Sequence, residues 1–159
     1  MTTPLIDEPD RSPQRLPIAR RVAIGFEIAL WLLTLVGFFL KLESWEGGSE
    51  ILILTFSILM CCYLALPILI FGSKGVRQHL GAHAVGFALS LGLMGWLFRI
   101  EAWEGGHEMS ILSFPLVALL LLTCIVLWVT RKEQPEKSRF YRNAVFRLLP
   151  LTAFLALFF

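Results

Sequence analysis

Two runs without a charged side chain, residues 51–72 and 109–130, constrain this chain more than any other feature. An α-helix of about 20 residues, rising ~1.5 Å per residue, covers the ~30 Å hydrocarbon layer of a bilayer. Both runs meet that length. A soluble domain of this size has no core that could take them as well as the rest of its apolar residues. Of the 159 residues, 57% are hydrophobic and 16% charged, against about 25% charged in soluble domains. The mean hydropathy is +0.73. A third apolar run, 22–40, is broken only by Glu27 and is too long for a signal-peptide core. Ahead of it stand Asp7, Glu8, Asp10 and four prolines, which read as a polar tail. The chain reads as an all-α integral membrane protein.

The second organising feature is a duplication. KLESWEGGSE at 41–50 returns as RIEAWEGGHE at 99–108, an offset of 58 without a gap. Nine of the 17 positions from 41 to 57 are identical in the second copy. A repeated unit of this length is one supersecondary element, here a helical hairpin around a charged turn. Helices are expected at about 18–42, 50–71, 81–100 and 108–130, with polar connections at 72–80 and 131–142. Residues 144–159 form a fifth apolar helix. Its Phe158-Phe159 aligns with Phe38-Phe39 at an offset of 120, so it resembles the first helix of a third unit. The expected organisation is a disordered cytoplasmic tail (1–17), hairpin repeat 1 (18–75), hairpin repeat 2 (76–133), and a basic loop with the fifth helix (134–159).

Charge placement sets an expected orientation. Twelve of the 14 basic residues lie in the tail, in the two segments that join hairpins, or just inside the fifth helix, where Arg147 stands. The two turns hold only Lys41 and Arg99, with six carboxylates. Lys and Arg favour the cytoplasmic side. This places the N-terminus in the cytoplasm and the glutamate-rich turns in the periplasm of a bacterial inner membrane. Both hairpins then run the same way, related by an axis along the membrane normal.

Most of the repeated turn follows from hairpin construction. Lys41 and Arg99 complement the negative end of a helix dipole. Trp45 and Trp103, four residues on, lie at interfacial depth and on the same face as the cations. Gly47-Gly48 and Gly105-Gly106 permit the positive φ that reverses a chain. Glu50 and Glu108 open the next helix at its positive dipole end. Glu43, Glu46, Glu101 and Glu104 have no such role, and a turn needs no ring of acids. With His107 they mark the candidate site, for a partner or for an ion. Glu27 is a second candidate, because an intramembrane carboxylate is costly and needs a partner; Arg21 and His83 are the expected ones. The next helix has small residues at Ala82/Gly86/Ser90 and Ala84/Ala88/Gly92, so it should be the most buried. Cys61, Cys62 and Cys124 lie inside apolar runs and read as packing residues. No metal-ligand spacing, cofactor motif or catalytic pairing stands out, so no metal, no cofactor and no enzyme activity is expected.

The turn resembles the transmembrane hairpin of GldL-type proteins, inner-membrane subunits of the gliding-motility and type IX secretion motor of Bacteroidota. The shared letters are Lys41, Trp45 and Gly47, and again Arg99, Trp103 and Gly105. The family turn usually reads His-Trp-Pro-Gly, where this chain has Ser44 or Ala102 and Glu46 or Glu104. The resemblance implies a GldL-like hairpin present twice. The expected function is a non-enzymatic subunit or scaffold of a membrane complex, its turns meeting a membrane or periplasmic protein. The alternative is a small proton- or cation-coupled transport or motor element using Glu27 and the turn carboxylates. Expected partners are the lipid bilayer, that protein and further copies in a homo-oligomer, with no nucleic acid.

Overall fold

The computed structural model describes residues 18–72, 76–130 and 135–157. Six helices follow one another: α1 (Ile18–Leu42), α2 (Gly48–Ala65), α3 (Pro67–Phe71), α4 (Val76–Ile100), α5 (Gly106–Thr130) and α6 (Pro135–Leu157). The described residues are all-α. Four of the helices, α1, α2, α4 and α5, are long and apolar enough to cross a membrane. The expected tail at 1–17, with the junction residues Lys74, Arg131 and Lys132 and the aligned Phe158 and Phe159, lies outside the described residues.

Three boundaries differ from those expected by more than two residues. The second helix does not run unbroken to residue 71. Pro67 has no N–H to continue the ladder, so α2 stops at Ala65, Leu66 takes φ −118° and ψ 27°, and α3 restarts at Pro67. Gly72, at φ 63°, closes α3. The connection at 72–80 is shorter than expected, because α4 begins at Val76. The segment 131–142 is not wholly a loop, because α6 begins at Pro135. The reason is periodic. Phe140, Ala144, Leu148, Leu151 and Leu155 are all buried and lie four, four, three and four residues apart, a helical stripe that starts inside the polar segment.

Helix α4 is the centre of the bundle. Within its apolar stretch 61% of residues are buried, against 22% in α1 and in α5. It packs on α2, α3, α5 and α6, while α1 packs on α2 and α3. Small residues allow this crowding. A Cβ on Gly86 would strike the carbonyl oxygen of Tyr63 in α2. One on Gly92 would lie 2.5 Å from Leu151 of α6, and one on Gly95 2.5 Å from Ser113 of α5. Ser90 Oγ donates to the Met60 carbonyl at 3.1 Å, tying α4 to α2. Phe26, Leu32 and Phe39 on α1, and Leu112, Leu119 and Val126 on α5, point outward, as faces set against lipid do.

The two hairpin turns share one backbone solution. Five hydrogen bonds recur at an offset of 58, among them Trp45 N–H to Leu40 O at 2.9 Å and Trp103 N–H to Phe98 O at 3.0 Å. Together with Ser44 N–H to Lys41 O and Ala102 N–H to Arg99 O they form the Schellman ending of α1 and α4. The left-handed residue of that ending is not glycine: Ser44 has φ 56° and Ala102 φ 51°. The first glycine of each pair does take positive φ, at 91° for Gly47 and 82° for Gly105. The second serves close approach instead. A Cβ on Gly48 would lie 2.7 Å from the Lys41 backbone nitrogen, and one on Gly106 3.1 Å from the Phe98 carbonyl oxygen.

These distances rank three alanine substitutions. Gly48→Ala should destabilise by about 1–3 kcal/mol, the usual range for overpacking against atoms that cannot give. Gly106→Ala should cost less. Gly25→Ala, at a helical position with nothing within 4 Å, should be neutral or slightly stabilising. Thermal unfolding in detergent measures the order, and equal effects at positions 48 and 25 would refute the close-approach role.

Candidate functional site

The structure divides the candidate residues between two places. The first is the end of the bundle that carries both turns. Lys41 Nζ donates to Ser49 Oγ at 3.0 Å and forms an ion pair with Glu101 Oε2 at 2.7 Å. The cation of the first turn is therefore held by an acid of the second, which brings the two turns side by side. The Glu101 side chain is 8% exposed, and its Oε1 meets no hydrogen-bond partner among the described residues. In the second copy Arg99 Nη1 lies 3.4 Å from Nδ1 of His107, the counterpart of Ser49. The glutamates divide by environment. Glu43, Glu46, Glu50, Glu104 and Glu108 are exposed, whereas Glu101 is not. Trp45 is 67% and Trp103 42% exposed, and Trp103 packs edge-on against Phe98 at 5.0 Å. Chemically this end offers a rim of carboxylates and two indoles around a fixed Lys41–Glu101 pair.

The second place is Glu27, whose partners are neither Arg21 nor His83. Arg147 holds it with a two-pronged contact: Nε donates to Oε1 at 2.6 Å and Nη2 to Oε2 at 2.7 Å. Tyr63 also donates its hydroxyl to Oε1 at 2.6 Å, and Trp31 Nε1 donates to that hydroxyl at 3.2 Å. The planar guanidinium fork matches a carboxylate in a way an ammonium does not. Arg147 Nη1 donates to the Asn143 carbonyl at 3.4 Å. The guanidinium lies 5.3 Å from the centre of the Phe71 ring, within cation–π range. Four helices thus converge on one carboxylate: α1 supplies Glu27 and Trp31, α2 Tyr63, α3 Phe71 and α6 Arg147. The break at Pro67 matters here, since Phe71 belongs to the short helix that follows it.

This arrangement is suited to holding helices together. Both carboxylate oxygens accept charge-assisted bonds from a fixed cation, so little of Glu27 is left for a travelling ion. Reading the sequence missed Arg147 and Tyr63. One signal pointed to the arginine. Arg147 lies 120 residues after Glu27, the offset at which Phe158-Phe159 aligns with Phe38-Phe39. Two opposite charges within apolar segments are also each other's natural partners. Nothing in the sequence pointed to Tyr63. The chain matches no protein-family model, no curated protein and no solved structure.

A double-mutant cycle tests the clasp. Glu27→Leu or Arg147→Leu alone should destabilise by about 3–5 kcal/mol, because each leaves a buried charge unpaired. The double variant should be more stable than either single one. Simple additivity of the two losses, read from unfolding in detergent, would show that the pair is not coupled.

Proposed function

We propose that this chain is a non-enzymatic, multi-pass subunit or scaffold of a bacterial inner-membrane complex, and that its paired turns receive a membrane or periplasmic partner. The observation that carries this reading is the contrast between the two polar places. The intramembrane acid is fully engaged by Arg147, Tyr63 and the helices around them. The turn end leaves Trp45, Trp103 and five glutamates open around a rigid pair. Tryptophan is among the residues enriched at the energetic centres of protein–protein contacts. The concentration of Lys and Arg toward the opposite end supports an N-terminus in the cytoplasm and turns in the periplasm. The likeness of the turns to GldL-type hairpins supports a partner within gliding-motility or type IX secretion machinery.

The test compares two sets of variants in the native host. Trp45→Ala with Trp103→Ala should release the partner that co-purifies with the chain in mild detergent, with the chain's own folding intact. Glu108→Gln, at an exposed acid outside the Glu27–Arg147 clasp, should leave that complex assembled. Cysteine labelling from outside the cell should reach position 46 or 104 and not the tail. A proton or cation flux in proteoliposomes that vanishes with Glu27→Gln or Glu108→Gln in protein that remains folded and assembled would overturn the scaffold reading in favour of a transport or motor element.

A further inference from the structure

Helices α1 and α6 are bridged by the Glu27–Arg147 pair yet do not pack directly on each other among the described residues. Between them lies a cavity of about 400 Å³, within the ~300–1,000 Å³ range of small-ligand sites. Trp31 and Trp96, with ring centres 6.5 Å apart, belong to its wall. Its rim carries Ile28, Leu35 and Phe146, which are 55%, 57% and 68% exposed. The cavity therefore opens sideways, toward the faces that lipid covers. Among the described residues its charged lining groups are Glu27 and Arg147, and these neutralise each other.

Size decides the class of occupant. The lining residues of α1 run from Ile24 to Phe38, about 21 Å along the helix. That exceeds the ~15 Å of one leaflet. A partner helix ~10 Å across over the same length would displace about 1,600 Å³, four times the space available. A single hydrocarbon chain is thin enough to enter.

Charge decides the kind of lipid. Arg20 stands one turn before Ile24 on the same face of α1. Its Nη2 donates to the Phe71 carbonyl at 3.4 Å, and its Nε is buried with no hydrogen-bond partner among the described residues. Arg147 lies over the ring of the same Phe71. Two guanidinium groups thus flank Phe71, and the carboxylate nearby, Glu27, is engaged by Arg147 and not by Arg20. Just beyond the Ile24 end of the cavity, Arg20 therefore has no carboxylate partner among the described residues, and basic pockets between transmembrane helices recruit anionic headgroups. We infer that the groove between α1 and α6 binds one anionic phospholipid, an acyl chain lying along the α1 face and its phosphate meeting Arg20.

The full chain, delipidated and reconstituted with equal phosphatidylglycerol and phosphatidylcholine, tests this by native mass spectrometry of the lipid it retains. The wild-type protein should retain the anionic lipid about fivefold over the neutral one, as expected for one well-placed cation. Arg20→Gln should bring that ratio to about one while total retained lipid stays the same. Leu35→Trp, at an exposed rim position, should lower retention of both lipids by filling the groove, and it leaves the charged residues intact. The inference fails if the wild type shows no preference, if Arg20→Gln keeps it, or if Leu35→Trp retains the full complement. It also fails if delipidated protein forms a dimer that Leu35→Trp dissociates, since the groove would then belong to a second copy.

Discussion

The Glu27–Arg147 pair is the interaction on which the arrangement of this bundle depends. Neither charge is tolerable alone inside an apolar assembly, where an unpaired ion costs several kcal/mol. Together they join α1 to α6 across 120 residues of chain. The pair also recruits its surroundings. Tyr63 fills a further lone pair on Glu27, Trp31 orients Tyr63, and Phe71 faces the guanidinium. Because these groups come from α1, α2, α3 and α6, the pair fixes which faces of four helices look inward. It does so without closing the gap between α1 and α6, which is why a groove persists beside it.

Around that pair, α4 supplies the packing. Its buried small residues let α2, α5 and α6 approach its backbone closely, with little side-chain volume between them. In a membrane, where lipid is as apolar as leucine, such close contact and interhelical hydrogen bonds replace the hydrophobic effect as the source of association. The bond from Ser90 to Met60 is one of these. Helices α1 and α5 stand at the periphery and keep large apolar side chains outward.

The duplicated turns separate local from global causes. Their backbone hydrogen bonds repeat one for one, because a Schellman ending followed by a left-handed glycine depends only on a few neighbouring residues. Their side-chain partners do not repeat. Lys41 reaches across to Glu101, while its counterpart Arg99 lies beside His107. Glu43, the counterpart of Glu101, stays exposed. Identical motifs thus acquire different roles from position in the bundle. The first copy reaches toward the second, while a different helix, α6, packs against the second hairpin. The exposed Glu43, Glu46 and Glu104 are the part of the motif that hairpin construction leaves over.

The all-α class, the four long apolar helices, the bounds of α1, the two turns and the burial of α4 were legible in the residues alone. Each is a consequence of short-range chemistry: an uncharged run of membrane length, a glycine pair, a stripe of small residues at helical spacing. The break at Pro67 and the early start of α6 were also written locally, in a proline and in the spacing of Phe140, Ala144 and Leu148. They were hidden by continuous hydrophobicity in one case and by a polar outer face in the other. The pairing of Glu27 with Arg147 and Tyr63, that of Lys41 with Glu101, and the groove between α1 and α6 came only with the folded bundle. Those outcomes depend on which helices become neighbours. That is settled by the packing of the whole bundle, and the 120-residue offset between Glu27 and Arg147 does not by itself say that their helices meet.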